Sequence, residues 1–409
     1  MECVKNGYVI CVGGVSQGVF RQLPDKYTTL ELRDYGDKLI LPGLVDLHVH
    51  APQHPFRTFG MDLELIDWLN THTFTEEAKY KDLDYAAKAY RIFVEEELKG
   101  PNTRICAFAT IHADATLLLM DIMEKSGLVS FIGKVNMDRN SPPSLQETDA
   151  VASARDTVHW IEESARRYKN TKPILTPRFI PSCSDELMTK LHGIQKQYDL
   201  PVQSHLSENM GEVEWVKQLC PDSKFYGDAY DKYGMFGNGA STIMAHCVWV
   251  EDEETELLTK NRVFVAHCPE SNINLSSGIA PIRQFLRKGV PVGLGSDIAA
   301  GTKTPIFDAM ASAIRVSKLY WRLVDSNSRP LSVEEAFYLG TVGGGAFFGK
   351  VGSFEKDFEF DAIVLDDSSI ARARELTLLE RVTQMIYLFE QNHIFAKYAR
   401  GRKLYSKIA

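Results

Sequence analysis

Hydrophobic and polar positions divide the chain into three stretches of different texture. Up to about residue 42, short apolar runs are cut by Asn6-Gly7, Gly13-Gly14 and Pro24-Asp25, pairs that favour turns and so predict brief strands. From His48 to about residue 345, short apolar runs alternate with long amphipathic segments. The runs at 44–49, 104–110, 131–137, 173–176, 201–205, 242–246, 263–267 and 290–295 read as eight strands. The segments between them read as helices. One, over 76–98, places Tyr85, Ala89, Ile92 and Phe93 on a common face and stops at Gly100-Pro101. Past residue 350 the text turns strand-like again, in Phe358-Glu359-Phe360-Asp361-Ala362-Ile363-Val364-Leu365.

Strands alternating with helices over roughly 250–300 residues predict an α/β fold, a (β/α)8 TIM-like barrel. The expected division is a barrel catalytic domain over 43–349 and a small β-sandwich domain built jointly from 1–42 and 350–409. No internal repeat or low-complexity segment interrupts this plan.

Composition narrows the field. The 409 residues are 44% hydrophobic and 24% charged, an ordinary globular balance, and the net charge is -8. No block of Lys and Arg stands out, so a nucleic-acid partner is not expected. No apolar run approaches the ~20 residues that span a bilayer, and the first residues lack the layout of a signal peptide, so no membrane partner is expected either. The seven cysteines form no Cys-x-x-Cys pair. Buried thiols in a reducing, cytoplasmic setting are the expectation.

The polar residues gather at strand ends. The first strand ends in Leu47-His48-Val49-His50, and a strand's period of two points both imidazoles the same way. The fifth ends in Ser204-His205 with Glu208 three residues on, the sixth in Ala245-His246, and the eighth in Gly295-Ser296-Asp297. A lone strand-end His is more often a packing residue, and a strand-end Asp a helix cap. Several such residues on one rim of one barrel instead describe a metal centre, because the active sites of this architecture lie at the C-terminal ends of its strands. Three imidazoles and a carboxylate suit one Zn2+ per chain, with Fe2+ or Mn2+ as alternatives. Such an ion lowers the pKa of water from ~15.7 toward ~7. Glu208 is then placed to carry protons, while Glu212 and Glu214 read as solvated carboxylates at a helix start.

These segments carry a resemblance. Pro-Gly-Leu-Val-Asp-Leu-His-Val-His at 42–50, Ser-His-Leu-Ser-Glu at 204–208, Met-Ala-His-Cys at 244–247, Ala-His-Cys-Pro-Glu-Ser-Asn at 266–272 and Gly-Leu-Gly-Ser-Asp at 293–297 resemble the amidohydrolase superfamily, in its mononuclear deaminase and chlorohydrolase branch. Within that branch the chain is similar to the guanine deaminases. The closest pieces are His48-Val49-His50-Ala51-Pro52-Gln53, Asp67-Trp68-Leu69, Thr176-Pro177-Arg178-Phe179 and Ser271-Asn272-Ile273-Asn274-Leu275-Ser276-Ser277-Gly278. The turn before the second strand, Gly100-Pro101-Asn102-Thr103, departs from the usual Asn-Gly-Thr-Thr.

The resemblance implies hydrolysis of guanine to xanthine and ammonia by a homodimeric zinc enzyme. It implies His48, His50, His205 and Asp297 as metal ligands, with Asp297 also taking a proton from water. His246 would orient the attacking water or the intermediate, and Glu208 would be the proton shuttle. Gln53, Arg178 and Phe179 would hold the base, with Trp68 as a lid or ring-packing residue, and His267 would be structural. Arg178 is expected to offer a planar donor fork to O6 and N7 of the purine. The alternatives on the same scaffold are a deaminase or chlorohydrolase acting on another purine, a pyrimidine or a triazine. A remoter one is a non-catalytic scaffold protein.

Overall fold

The computed structural model describes residues 2–407. Eight parallel strands form two four-stranded sheets. In the first, β1 (Leu44–His50), β2 (Asn102–Phe108), β3 (Val129–Gly133) and β4 (Thr171–Pro173) lie side by side in chain order. In the second, β5 (Val202–Leu206), β6 (Thr242–His246), β7 (Phe264–His267) and β8 (Val292–Leu294) do the same. A parallel bridge between Leu175 and Val202 joins the two sheets. At the opposite edges the Asp297 N–H donates to the His48 carbonyl at 2.9 Å, and the His50 N–H to the Ile298 carbonyl at 3.2 Å.

The third and fourth runs are broken more finely than the hydrophobic pattern predicts. Val135–Asn136 and Thr176–Pro177 pair separately from the main sheet. Pro173 and Pro177 bring no N–H to this ladder, which limits continuous pairing. Val45 and Leu47 on β1, Cys106 on β2, Ile243 on β6 and Ala266 on β7 close on Phe347 and Val351 in one apolar cluster.

The helix expected over 76–98 is two pieces. A short helix, Phe74–Glu77, runs into a turn, and Leu83–Lys99 starts afresh. The Asp82 carboxylate causes the restart by accepting from the N–H groups of Asp84 and Tyr85, at 2.9 and 3.3 Å. The buried face is then Ala86, Ala89, Tyr90, Phe93 and Val94, while Ile92 is 51% exposed, contrary to its assignment to the core face.

Leu39–Pro42 pairs with Ala362–Leu365 in an antiparallel sheet completed by Ile394–Ala399 and Arg402–Ser406. Tyr8–Val12 and Val15–Phe20 form a hairpin beside it. Phe354, Phe360, Val364 and Tyr398 pack together beneath these strands. The tail also contains a helix, Leu378–Leu388, opened by a reciprocal Thr377/Glu380 cap, where only strand character was anticipated. Ion pairs tie these strands to the parallel sheets: Arg104 on β2 donates to Asp361 and Glu359. All seven cysteines are free thiols, five of them buried, whereas Cys3 is exposed and Cys11 intermediate. Among the described residues no helix is long and apolar enough to cross a membrane.

Candidate active site

Local backbone irregularity aims the strand-end residues. The pairing of β1 with β2 slips between Asp46 and Val49. Such a bulge re-aims the side chains beside it. The chain also turns sharply at the ends of two other strands, with left-handed backbone at His246 (φ 73°) and Asp297 (φ 48°). Gly295 lets β8 approach β1: a Cβ there would lie 2.9 Å from His48 Cβ and 2.7 Å from Cys268 Sγ.

The result is a compact donor cluster. Asp297 Oδ1 lies 3.2 Å from His48 Nε2 and 3.5 Å from His50 Nε2, and His50 Nε2 is 3.1 Å from His205 Nε2. The His205 Nδ1 lies 2.6 Å from the Arg178 carbonyl. A carbonyl only accepts, so Nδ1 carries the proton and Nε2 presents its lone pair to the cluster. Both ring nitrogens of His48, Nδ1 of His50 and Nε2 of His246 are buried without a hydrogen-bond partner. Ligand atoms of His48, His50 and Asp297 lie within 4.8 Å of one another, as do those of His48, His205 and His246, and two such overlapping buried triads are donors fit for a divalent metal. Phe108 packs under it, its ring centroid 4.6 to 5.0 Å from those of His48, His50 and His205.

Burial sets the charge states. It pushes the imidazoles of His48, His50 and His205 below their usual range, so they are neutral. Burial alone would raise Asp297, but the neighbouring imidazoles, His48 first, hold it well below the carboxylate range. Asp46 braces the arrangement from beneath, accepting from the N–H groups of His48 and Ser296 and from the Ser296 hydroxyl.

Glu208 and His246 sit beside the cluster. His246 Nε2 is 3.3 Å from Glu208 Oε2 and 3.8 Å from Asp297 Oδ2, and its Nδ1 meets Asn272 Oδ1 at 2.9 Å. Burial, then the charges of Asp297 and Glu212, push the Glu208 carboxyl well above its usual range. These groups open onto a cleft that Leu65, Trp68, Phe179 and Leu275 also line.

Gln53 and Arg178 line the same cleft. Their polar groups are already engaged. Gln53 Nε2 donates to Glu77 Oε1 at 2.9 Å, and its Oε1 accepts from the Ala299 N–H at 3.2 Å. Arg178 Nη1 and Nη2 both donate to the Glu77 carboxylate, at 2.6 and 3.1 Å. The fork of Arg178 is therefore not a free pair of donors, as the sequence reading had it. Trp68 is buried against Phe56 and donates its indole N–H to the Phe59 carbonyl.

The model of the amidohydrolase family matches residues 39–401. The chain belongs to the amidohydrolase family. Guanine deaminase of Dictyostelium discoideum is 38% identical over 380 residues, 91% of this chain and 83% of that protein. The Escherichia coli (strain K12) enzyme of the same name is 33% identical over 417 residues, 99% of this chain and 90% of that protein. Among solved structures, guanine deaminase from C. acetobutylicum with bound guanine in the active site superposes with a TM-score of 0.95. It is 44% identical, covering 98% of this chain and 95% of that one.

Two acids of this amidohydrolase's site were not legible as such. Glu212, expected as a solvated helix-start carboxylate, is buried in the cleft. It accepts the Glu208 N–H at 3.0 Å and the Tyr226 hydroxyl at 2.7 Å. Glu214 is exposed, as expected. Glu77 lies in Thr75-Glu76-Glu77, which reads as helix surface, yet it is 1% exposed. The only available hint was chemical: an arginine expected in a buried cleft needs a counter-charge. His267 is buried with both ring nitrogens unpartnered, and burial followed by the neighbouring His246 lowers it to about 3, so it is neutral.

Proposed function

We propose that this amidohydrolase deaminates guanine, using water to give xanthine and ammonia, with one zinc ion held by His48, His50, His205 and Asp297. One observation carries the reading: His50, His205 and Asp297 of the cluster, the Glu208–His246 pair, and Arg178 with Gln53 all open into a single cleft. The likeness to guanine deaminases along nearly the whole chain supports it.

The bound ion supplies Lewis acidity that makes water a nucleophile at neutral pH. The chain's own residues do the rest. Asp297 accepts the proton that the attacking water loses as its oxygen bonds to C2. Glu208 delivers a proton to N3, where negative charge would otherwise develop. The tetrahedral carbon then bears both oxygen and nitrogen. As the C2–N bond breaks, the C2 hydroxyl gives up its proton through Glu208 to the amine, which leaves as ammonia while the C2 carbonyl forms, and the proton held by Asp297 returns to Glu208. His246 orients the new C2 oxygen: Asn272 Oδ1 accepts from its Nδ1, so Nε2 turns its lone pair toward that oxygen and accepts the hydrogen bond of the C2 hydroxyl. The outward N–H groups of Arg178 meet O6 and N7 of the base, and the free faces of the Gln53 amide meet O6 and N1–H. Phe179 packs on the ring, and Trp68 walls the cleft. Adenine would set an amine against donors of Arg178, leaving buried groups unpaired.

The two sheets read as one closed (β/α)8 barrel, supported by the Leu175–Val202 bridge and the Asp297–His48 bond. Residues 1–42 and 350–409 read as one small β-sandwich domain, supported by the pairing of Leu39–Pro42 with Ala362–Leu365. A cytoplasmic homodimer acting in guanine breakdown completes the reading, and the free thiols fit a reducing compartment. A purine panel with ammonia detection, run on metal-replete enzyme, tests the function: guanine should be the preferred substrate. Turnover of adenine, a pyrimidine or a triazine in its place would overturn it.

A further inference from the structure

Glu77 lies behind the cleft wall rather than in it, and its carboxylate accepts three hydrogen bonds from two residues that line the cleft. Oε1 takes the Gln53 amide and Arg178 Nη2, and Oε2 takes Arg178 Nη1. All three side chains are at most 3% exposed. The contacts have only one sense. A carboxylate accepts and a backbone N–H donates, so the Gln53 amide must send Nε2 to Glu77 and Oε1 to the Ala299 N–H. A flipped amide would oppose both neighbours. Arg178 is always cationic. Paired two-to-two with Glu77, it presents N–H donors to the cleft while its positive charge is cancelled one atom layer behind.

We propose that Glu77 is a positioning residue that makes the base pocket select a neutral purine over an anionic one. The proposal rests on the guanine reading above. Guanine is neutral near pH 7, whereas its dioxo product xanthine is the stronger acid and becomes an anion at mildly alkaline pH. An uncancelled arginine would hold that anion and slow its release. The Arg178–Glu77 pair keeps the donors that guanine needs without the charge that favours the product.

The test compares Glu77→Gln with Glu77→Asp in the metal-loaded enzyme at mildly alkaline pH, with guanine as substrate, xanthine as competitive inhibitor, and bound metal as the control for folding. Glu77→Gln removes the charge and lets the Gln53 amide flip. The guanine KM should rise roughly 10- to 100-fold. The ratio of guanine KM to xanthine Ki should rise by a further factor of about ten beyond any shared loss. Glu77→Asp keeps the charge with a shorter reach, so its guanine KM should rise about tenfold while the xanthine Ki rises in parallel, leaving the ratio near wild type. A purely structural role would weaken both ligands alike in both variants, and that result overturns the proposal. If the Gln variant does not fold, the wild-type enzyme decides: with the arginine charge cancelled, xanthine Ki should not tighten as pH rises and the product ionises, and a Ki that falls about tenfold overturns the proposal. Wild-type enzyme that does not turn over guanine at all would overturn the function itself, a distinct outcome.

Discussion

Glu208 Oε2 stands 3.3 Å from His246 Nε2, one side chain from just past the end of β5 and the other from the end of the neighbouring β6. The other Glu208 oxygen accepts the Ser277 hydroxyl at 3.4 Å. A carboxyl held so, buried and short of strong donors, favours its protonated form and can hand a proton onward.

Replacing Glu208 by Gln keeps size and hydrogen bonding but removes the transferable proton. Turnover of guanine should fall by ~10²–10⁴ while the metal stays bound. Steady-state kinetics beside elemental analysis decides the matter. A metal-loaded Glu208→Gln enzyme working within a small factor of wild type would falsify the proton-shuttle role.

Arg178→Met should damage more than substrate binding. It strands the Glu77 carboxylate, and breaking a buried ion pair costs about 3–5 kcal/mol. The expected outcome is a clear drop in urea midpoint together with a loss of guanine turnover of roughly 30- to 1000-fold. Adding Glu77→Leu should restore most of the stability and none of the activity. Recovery of activity in the double variant would show that Arg178 does not hold the base.

About one divalent ion per chain should copurify, zinc first. His48→Ala should lose it. Chelation should lower the melting temperature, because an ion present at a thousandfold excess over its Kd stabilises the fold by about 4 kcal/mol. Fully active protein that elemental analysis finds metal-free after a chelator wash would remove the metal centre from the mechanism.

Burial pushes the Glu254 carboxyl from an ordinary 4.5 up to about 7, although the Gly227 N–H donates to it at 2.6 Å and the Ser207 hydroxyl at 3.4 Å. A carboxyl with a raised folded pKa imposes no cost at low pH, where both states hold the proton. The unfolded chain ionises first as pH rises from 4.5, so this group's contribution to folding stability declines until about pH 7 and is level beyond. Glu254→Gln should remove that part of the decline. It should be near neutral at the acid end and stabilising by up to about 3 kcal/mol above neutrality, read from urea unfolding at both ends. Parallel pH profiles for the two proteins would contradict the prediction.

What could be read in advance followed from regular geometry. His48, His50, His205, His246 and Asp297 sit at ends of runs whose period is two, and parallel strands deliver their ends to one rim, so sequence position translates into place. Glu77 and Glu212 were invisible for the opposite reason. They lie on short helices, where an acidic residue near the start is commonplace and burial depends on what folds over it. The break at Asp82 was equally hidden. An Asp within an amphipathic stretch can face solvent or capture two N–H groups, and only the second starts a new helix there. The slip in β1 lies in pairing, which one strand's text does not contain.

Leu39–Pro42 enters directly into β1, yet its hydrogen-bonding partner is Ala362–Leu365, and Arg104 waits for Asp361 across 257 positions of chain. During synthesis the ribosome therefore releases β1 with its His-Val-His end long before the segment that anchors its start exists. The two histidines of β1 are made early and secured late. Chains cut short before the Ala362 strand should accumulate with the parallel sheets begun and their first strand unpinned, a state that exposes apolar edges and invites aggregation rather than a smaller working enzyme.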